Sequence, residues 1–114
     1  MVSKQYEIWL ANLHPRMGTE PGKTRPVVIV QTNLLNDFHP STIICPITSK
    51  VNTQIDLLRV HIKKGQLPLA SDILVDQMRA IDNQRLIQKV GKLNTQQIQK
   101  LKRNIRVLLD LELE

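Results

Sequence analysis

The chain has 114 residues, of which 41% are hydrophobic and 23% charged, and a formal net charge of +6. That length suits one domain with a modest core, in a size range that gains much from dimerising. No apolar run approaches the roughly 20 residues of a membrane-spanning helix. The single cysteine, Cys45, excludes an internal disulfide and fits a reducing cytoplasm. The first residues lack the shape of a signal peptide, because Glu7 interrupts them and no small-residue cleavage site follows.

The positive charge is uneven. Residues 23–64 hold six Lys/Arg against two Asp, whereas the first 22 residues balance to zero. A basic middle favours an anionic partner such as nucleic acid or an acidic protein. Charge alone is equally compatible with a small basic protein that has no such partner.

In chain order, residues 7–13 (EIWLANL) form a first strand with Ile8, Leu10 and Trp9 as inward candidates, ended by His14 and Pro15. Residues 18–31 (GTEPGKTRPVVIVQ) follow as a polar, glycine-flanked loop running into an apolar strand. Gly18, Pro21 and Gly22 mark turn chemistry. Val27, Val28, Ile29 and Val30 are a continuous β-branched run, as expected of a strand buried on both faces. Pro26 opens that strand, so Arg25 is held at its mouth, with Thr19, Glu20, Lys23 and Thr24 on the loop before it.

Residues 32–41 are a polar connection with room for one helical turn. Residues 42–48 (TIICPIT) are a third strand in which Pro46 argues for a bulge or an edge. Residues 55–62 read as a fourth strand, and 73–75 as a short fifth that becomes polar where it leaves the core. Asp82 is an N-cap for a single helical turn over 82–86, and 87–93 is a last strand. The tail is a helix. Asn94 and Gln97 can form a capping box, and Ile98, Leu101, Ile105 and Leu108 repeat at helical spacing. Lys100, Lys102, Arg103 and Arg106 fall off that stripe, as a solvated basic face or a surface for nucleic acid. Short strands joined by turns, plus one terminal helix, predict a mainly β fold, a small antiparallel barrel or strongly bent sheet.

Metal chemistry has little support, since His14, His39 and His61 have no partners at ligand spacing. Cys45 lies among isoleucines and reads as a small hydrophobe. The glycines match neither a P-loop nor a dinucleotide fingerprint. Arg25 and Thr48 remain. If their strands are antiparallel neighbours, the guanidinium fork and the hydroxyl converge as a phosphate site. The residues alone also allow a strand-end arginine in a surface ion pair and a routine strand threonine.

Three stretches add a resemblance. GTEPGKTRPVVIVQTN at 18–33, CPITS at 45–49 and SDILVDQMRAID at 71–82 together resemble the MazF/PemK family of toxin endoribonucleases. The family's usual form is a Gly-Ser-Glu-Gln loop before Arg-Pro and an apolar strand. A strand ending in Pro/Ala-Ile-Thr comes next, then an apolar strand leading into Asp/Glu-Gln-hydrophobic-Arg-x-Ile-Asp. The likeness runs from Glu7 through the final helix. It implies an SH3-like antiparallel barrel of the CcdB/MazF kind, a homodimer, an acidic antitoxin partner, and sequence-specific cleavage of single-stranded RNA with no metal and no cofactor. Arg25 and Thr48 match the family's catalytic pair. Thr19 and Glu20 match the loop that touches RNA, and Asp76, Gln77 and Arg79 the polar end of the later strand. Lys23 and Gln31, which flank Arg25 in the first motif, complete the RNA-binding candidates. Pro21 replaces a common Gln and Thr32-Asn33 a frequent Asn-Asp, which implies a different recognised sequence.

Such a nuclease uses the substrate's own 2′-hydroxyl as nucleophile and leaves 2′,3′-cyclic phosphate and 5′-hydroxyl ends. A preorganised arginine stabilises the crowded phosphate. The resemblance also gives the arginine acid/base work, although a guanidinium is so strong a base that it ordinarily stays protonated. The competing expectation is a non-catalytic toxin or binding module on the same barrel, a gyrase poison or a nucleic-acid adaptor.

Overall fold

The structure, a computed structural model, describes residues 2–14, 18–19 and 23–112. Among the described residues seven strands precede one α-helix: β1 (Glu7–Asn12), β2 (Thr24–Ile29), β3 (Ser41–Thr48), β4 (Arg59–Ile62), β5 (Ser71–Leu74), β6 (Arg79–Asp82), β7 (Leu86–Lys92) and α1 (Thr95–Leu109). The sheet order is β4-β5-β3-β2-β1-β7, with β6 also paired to β3. Every strand pair is antiparallel.

Strand periodicity explains the core. Successive side chains point to opposite faces of a sheet, and here both faces are covered. Ile8, Val28, Cys45, Ile47, Ile62 and Ile73 belong to one cluster, which Leu101 of α1 helps to close. Trp9, Ala11, Val27, Ile29, Ile44 and Ile81 belong to the other. Val27, Val28 and Ile29 are fully buried, as the β-branched run predicts, whereas Val30 lies just past the end of β2 and is half-buried. Trp9 is buried, while Leu10, expected inside, is only half-buried.

β3 bends the sheet. Its first half, Ser41 to Ile44, pairs with β6, and Ile47 and Thr48 pair with β5. Pro46 stands at the change of partner, where a residue without an N–H interrupts least. The strand is therefore central, with β2 along its other side, and not the edge that Pro46 suggested. Pro26 likewise sits third in β2 instead of first, and the ladder to β3 begins just after it, at Val27.

Two further expectations change. The strand predicted over 55–62 is confined to Arg59–Ile62, because Leu58 takes a left-handed φ of 66° and the residues before it are exposed turn. β6 occupies residues expected to be leaving the core. It is four residues long with Ile81 alone buried, too little to signal a strand without its partner β3.

Local helix signals hold. The Asp82 side chain accepts the Gln84 N–H at 2.8 Å and caps the turn Asn83–Arg85. Asn94 and Gln97 form a reciprocal capping box at the start of α1. Gln97 also joins the helix to the sheet side through Gln66 at 2.7 and 2.8 Å. Asn104 donates to the Arg59 carbonyl at 3.2 Å. Lys102, Arg103 and Arg106 are exposed, whereas Lys100 is half-buried and paired with Asp56.

Candidate active site

Arg25 is the second residue of β2 and pairs with Ala11 of β1. Across the other edge, Val27 pairs with Pro46 of β3. The same register carried two residues further sets Arg25 opposite Thr48. Directly opposed residues on antiparallel strands have Cα atoms about 5 Å apart and side chains on one face. Cross-strand pairing continues from Thr48 to Asp72 of β5 and from Asp72 to His61 of β4. Arg25, Thr48, Asp72 and His61 thus form one row across four strands, on the face opposite α1.

The row is graded in exposure. Arg25 is half-buried and lines an open cavity of about 330 Å³ with Lys23, Ile47, Ser49, Pro68 and Leu69. Thr48 is 8% exposed, and its Oγ1 accepts the Lys50 N–H at 3.1 Å. An oxygen that accepts from the backbone keeps its own proton to donate. Asp72 is fully buried. Its Oδ2 accepts from Arg59 Nη1 at 2.9 Å and from the Asn52 N–H at 3.1 Å, and its Oδ1 meets His61 Nδ1. Burial alone would raise the Asp72 carboxyl, but the Arg59 guanidinium, the Asn52 amide and His61 outweigh it and hold it below the ordinary aspartate value.

The remaining sequence-predicted residues divide. Lys23 is exposed at the end of the loop, with a left-handed φ of 65°, and its carbonyl accepts the Leu13 N–H at 2.9 Å. Thr19 is exposed in a turn with Gly18, whose φ of 56° suits glycine. Glu20 lies outside the described residues. Asp76 and Gln77 occupy the single turn Val75–Gln77 after β5. Arg79 opens β6 opposite Ile44, on the face of β3 that carries Thr48 four residues on. Gln31 is not brought to this group. It follows the far end of β2, is buried, and is committed to Asn36, the Ser41 carbonyl and the Ile43 N–H.

Asp72 and its partners were missed from sequence. The signal was the alternation RVHI at 59–62, two polar residues on one face of a strand whose other face is core, against a lone carboxylate in SDIL. Among the described residues no group of three or more His, Cys, Asp or Glu is placed to hold a metal ion. None of the described helices is long and apolar enough to cross a membrane.

The chain is thus an antiparallel sheet closed by a terminal helix, with an arginine and a threonine at the ends of its two central strands. Residues 4–109 match the family model described as PemK-like, MazF-like toxin of type II toxin-antitoxin system. The chain is 34% identical over 107 residues to the endoribonuclease MazF of Staphylococcus saprophyticus, covering 92% of this chain and 89% of that one. Its fold is similar to the crystal structure of MazF from Deinococcus radiodurans, with a TM-score of 0.84 at 19% identity over 96% of this chain and 98% of that one. It is also similar to a mycobacterial endoribonuclease solved in complex with its cognate antitoxin, with a TM-score of 0.79 at 16% identity over 98% and 99% of the two chains. The chain belongs to the PemK-like, MazF-like family of type II toxins.

Proposed function

We propose that this chain is an endoribonuclease toxin of the bacterial cytoplasm. In this reading it cleaves single-stranded RNA as a homodimer, without a metal, and is neutralised by an acidic antitoxin. What supports the reading is a chain of this family in which the β2–β3 register, carried two residues past Val27–Pro46, sets Arg25 opposite Thr48. The guanidinium offers paired N–H donors to the non-bridging phosphate oxygens, and the Thr48 hydroxyl offers one more. Both favour the crowded, more negative phosphorus of the transition state over the ground state. The 2′-oxygen, losing its proton, bonds to the adjacent phosphorus. The bond to the 5′-oxygen breaks, and that oxygen takes up a proton. The products are a 2′,3′-cyclic phosphate and a 5′-hydroxyl.

Thr19, Glu20, Lys23, Asp76, Gln77 and Arg79 read the RNA, while Gln31 supports the scaffold. Single-stranded RNA is recognised by splayed bases read on their edges, and few aromatic rings are present for stacking, so hydrogen bonding dominates. Phosphate contacts make affinity fall with salt. An acidic antitoxin segment lies across the same surface around Lys23 and Arg25. The substitution Arg25→Glu therefore weakens antitoxin binding at low salt, and unchanged affinity would remove the electrostatic basis of this partnership.

The direct test is incubation with single-stranded RNAs of several sequences in EDTA, with product ends read by mass spectrometry. Cyclic-phosphate and 5′-hydroxyl ends are expected, with Arg25→Ala much slower. RNA left intact by wild type and Arg25→Ala alike would refute the reading. Gyrase inhibition in the same preparation would then favour a non-catalytic toxin.

A further inference from the structure

Thr48 does not hold its own conformation. It is the last residue of β3, and its hydroxyl oxygen is gripped by the N–H of Lys50, in the turn that follows. A turn of exposed residues is a poor anchor unless something fixes it. This one is fixed from the neighbouring strands. Arg59 Nη1 donates to the Lys50 carbonyl at 3.1 Å and to Asp72 Oδ2 at 2.9 Å. The same carboxylate oxygen accepts the Asn52 N–H at 3.1 Å. One buried carboxylate and the guanidinium it pairs with thus hold the turn at residues 50 and 52. His61, on Oδ1, completes the carboxylate's shell.

We propose that Asp72 is a positioning residue for the Thr48 hydroxyl. Acting through Arg59 and the turn, it orients the alcohol toward the phosphate without touching substrate. The proposal rests on the reading of Thr48 as a phosphate-binding donor. Three observations converge on it. Asp72 is the cross-strand neighbour of Thr48, so the support stands directly beside the group supported. Asp72 is fully buried, so it is not itself an RNA contact. The chain Asp72–Arg59–Lys50–Thr48 is continuous in hydrogen bonds, with no link longer than 3.1 Å. Small losses of alignment at a reacting group lower turnover more than binding. The effect therefore belongs in kcat.

The test is a double-mutant cycle on cleavage of a short RNA: wild type, Asp72→Asn, Thr48→Ala and the double variant. Asp72→Asn is expected to lower kcat about 10- to 100-fold with KM nearly unchanged. In the Thr48→Ala background the same change is expected to alter kcat less than about 2-fold, since the group being positioned is gone. Equal losses in both backgrounds, or an unchanged kcat in Asp72→Asn, would overturn the proposal. Thr48→Ala cleaving at the wild-type rate would instead overturn the reading of Thr48 on which it rests. Arg59→Gln, which frees the turn and leaves Asp72 in place, serves if Asp72→Asn fails to fold, with the same cycle and the same expectations. Amide hydrogen exchange gives an activity-independent measure. The Lys50 and Asn52 amides should exchange faster in Asp72→Asn or Arg59→Gln than in wild type, with the β2 core unaffected, and unchanged exchange counts against the clamp.

Discussion

Arg25 and Thr48 each lie two residues beyond the Val27–Pro46 pair that ends the ladder between the two central strands, so the register of that ladder, carried on, sets them opposite one another. Neither could shift without moving the core. Val27 and Val28 behind Arg25, and Ile47 beside Thr48, are at most 1% exposed. A one-residue slip would turn these side chains to the opposite faces. Hydrophobic register fixes where the two strands place this pair, and the turn clamped behind Lys50 fixes the Thr48 hydroxyl.

Arg25→Ala is expected to lower RNA cleavage by about 10²- to 10³-fold, the range for removing one preorganised electrostatic donor. Arg25→Lys should recover only part of that loss, since an ammonium has no planar fork. Initial rates on one oligonucleotide in EDTA measure both, and a lysine variant at wild-type rate would contradict the bidentate role.

Cys45 should be inert in the native protein. It is fully buried, its Sγ lies 3.9 Å from the Val75 carbonyl, and burial, with Asp76 contributing, pushes its thiol up to about 12. Since the thiolate is the reactive form, alkylation at pH 8 is expected only through unfolding. Labelling followed by mass spectrometry should stay slow without denaturant and rise across the unfolding transition.

Asp72 links stability to acid. Its folded carboxyl is held below the ordinary aspartate value, so the folded state binds that proton more weakly than the unfolded chain. The stabilisation is complete above the unfolded value of about 4 and is lost as pH falls through the lower, folded one. Asp72→Asn should therefore cost about 1–3 kcal/mol at pH 7, by leaving Arg59 poorly paired. That cost should shrink as the pH is lowered below about 4. Urea denaturation of both proteins across pH 3–7 checks the sign, and a cost that grows in acid would reverse the assignment.

The helix offers a ranked pair. Asn94→Ala removes half of the capping box and is expected to cost about 1 kcal/mol. Leu101→Ala empties a fully buried site between α1 and the sheet and is expected to cost about 2–5 kcal/mol. Denaturant midpoints should keep that order.

Much of the fold was legible because its signals are local. The β-branched run at Val27–Val30, the Asp82 turn and the Asn94–Gln97 capping box each depend on a few adjacent residues. What failed depended on partners. β6 is a strand because β3 lies beside it, and Pro46 is tolerated in a central strand because β3 changes neighbours there. Gln31, one residue past the apolar run, looked available. The hydrogen bonds that bury it come from Asn36, Ser41 and Ile43 in the next connection and strand.

The sequence by itself determined which residues carry charge and hydroxyl at the ends of apolar strands, and where the helix begins, since short-range hydrophobic pattern and capping chemistry dictate both. Tertiary structure alone decided that Arg25, Thr48, Asp72 and His61 share one row, and that a carboxylate 24 positions beyond Thr48 anchors the turn gripping its hydroxyl. Strand register is a long-range property, fixed only when two faces of core are packed at once, and no local pattern contains it.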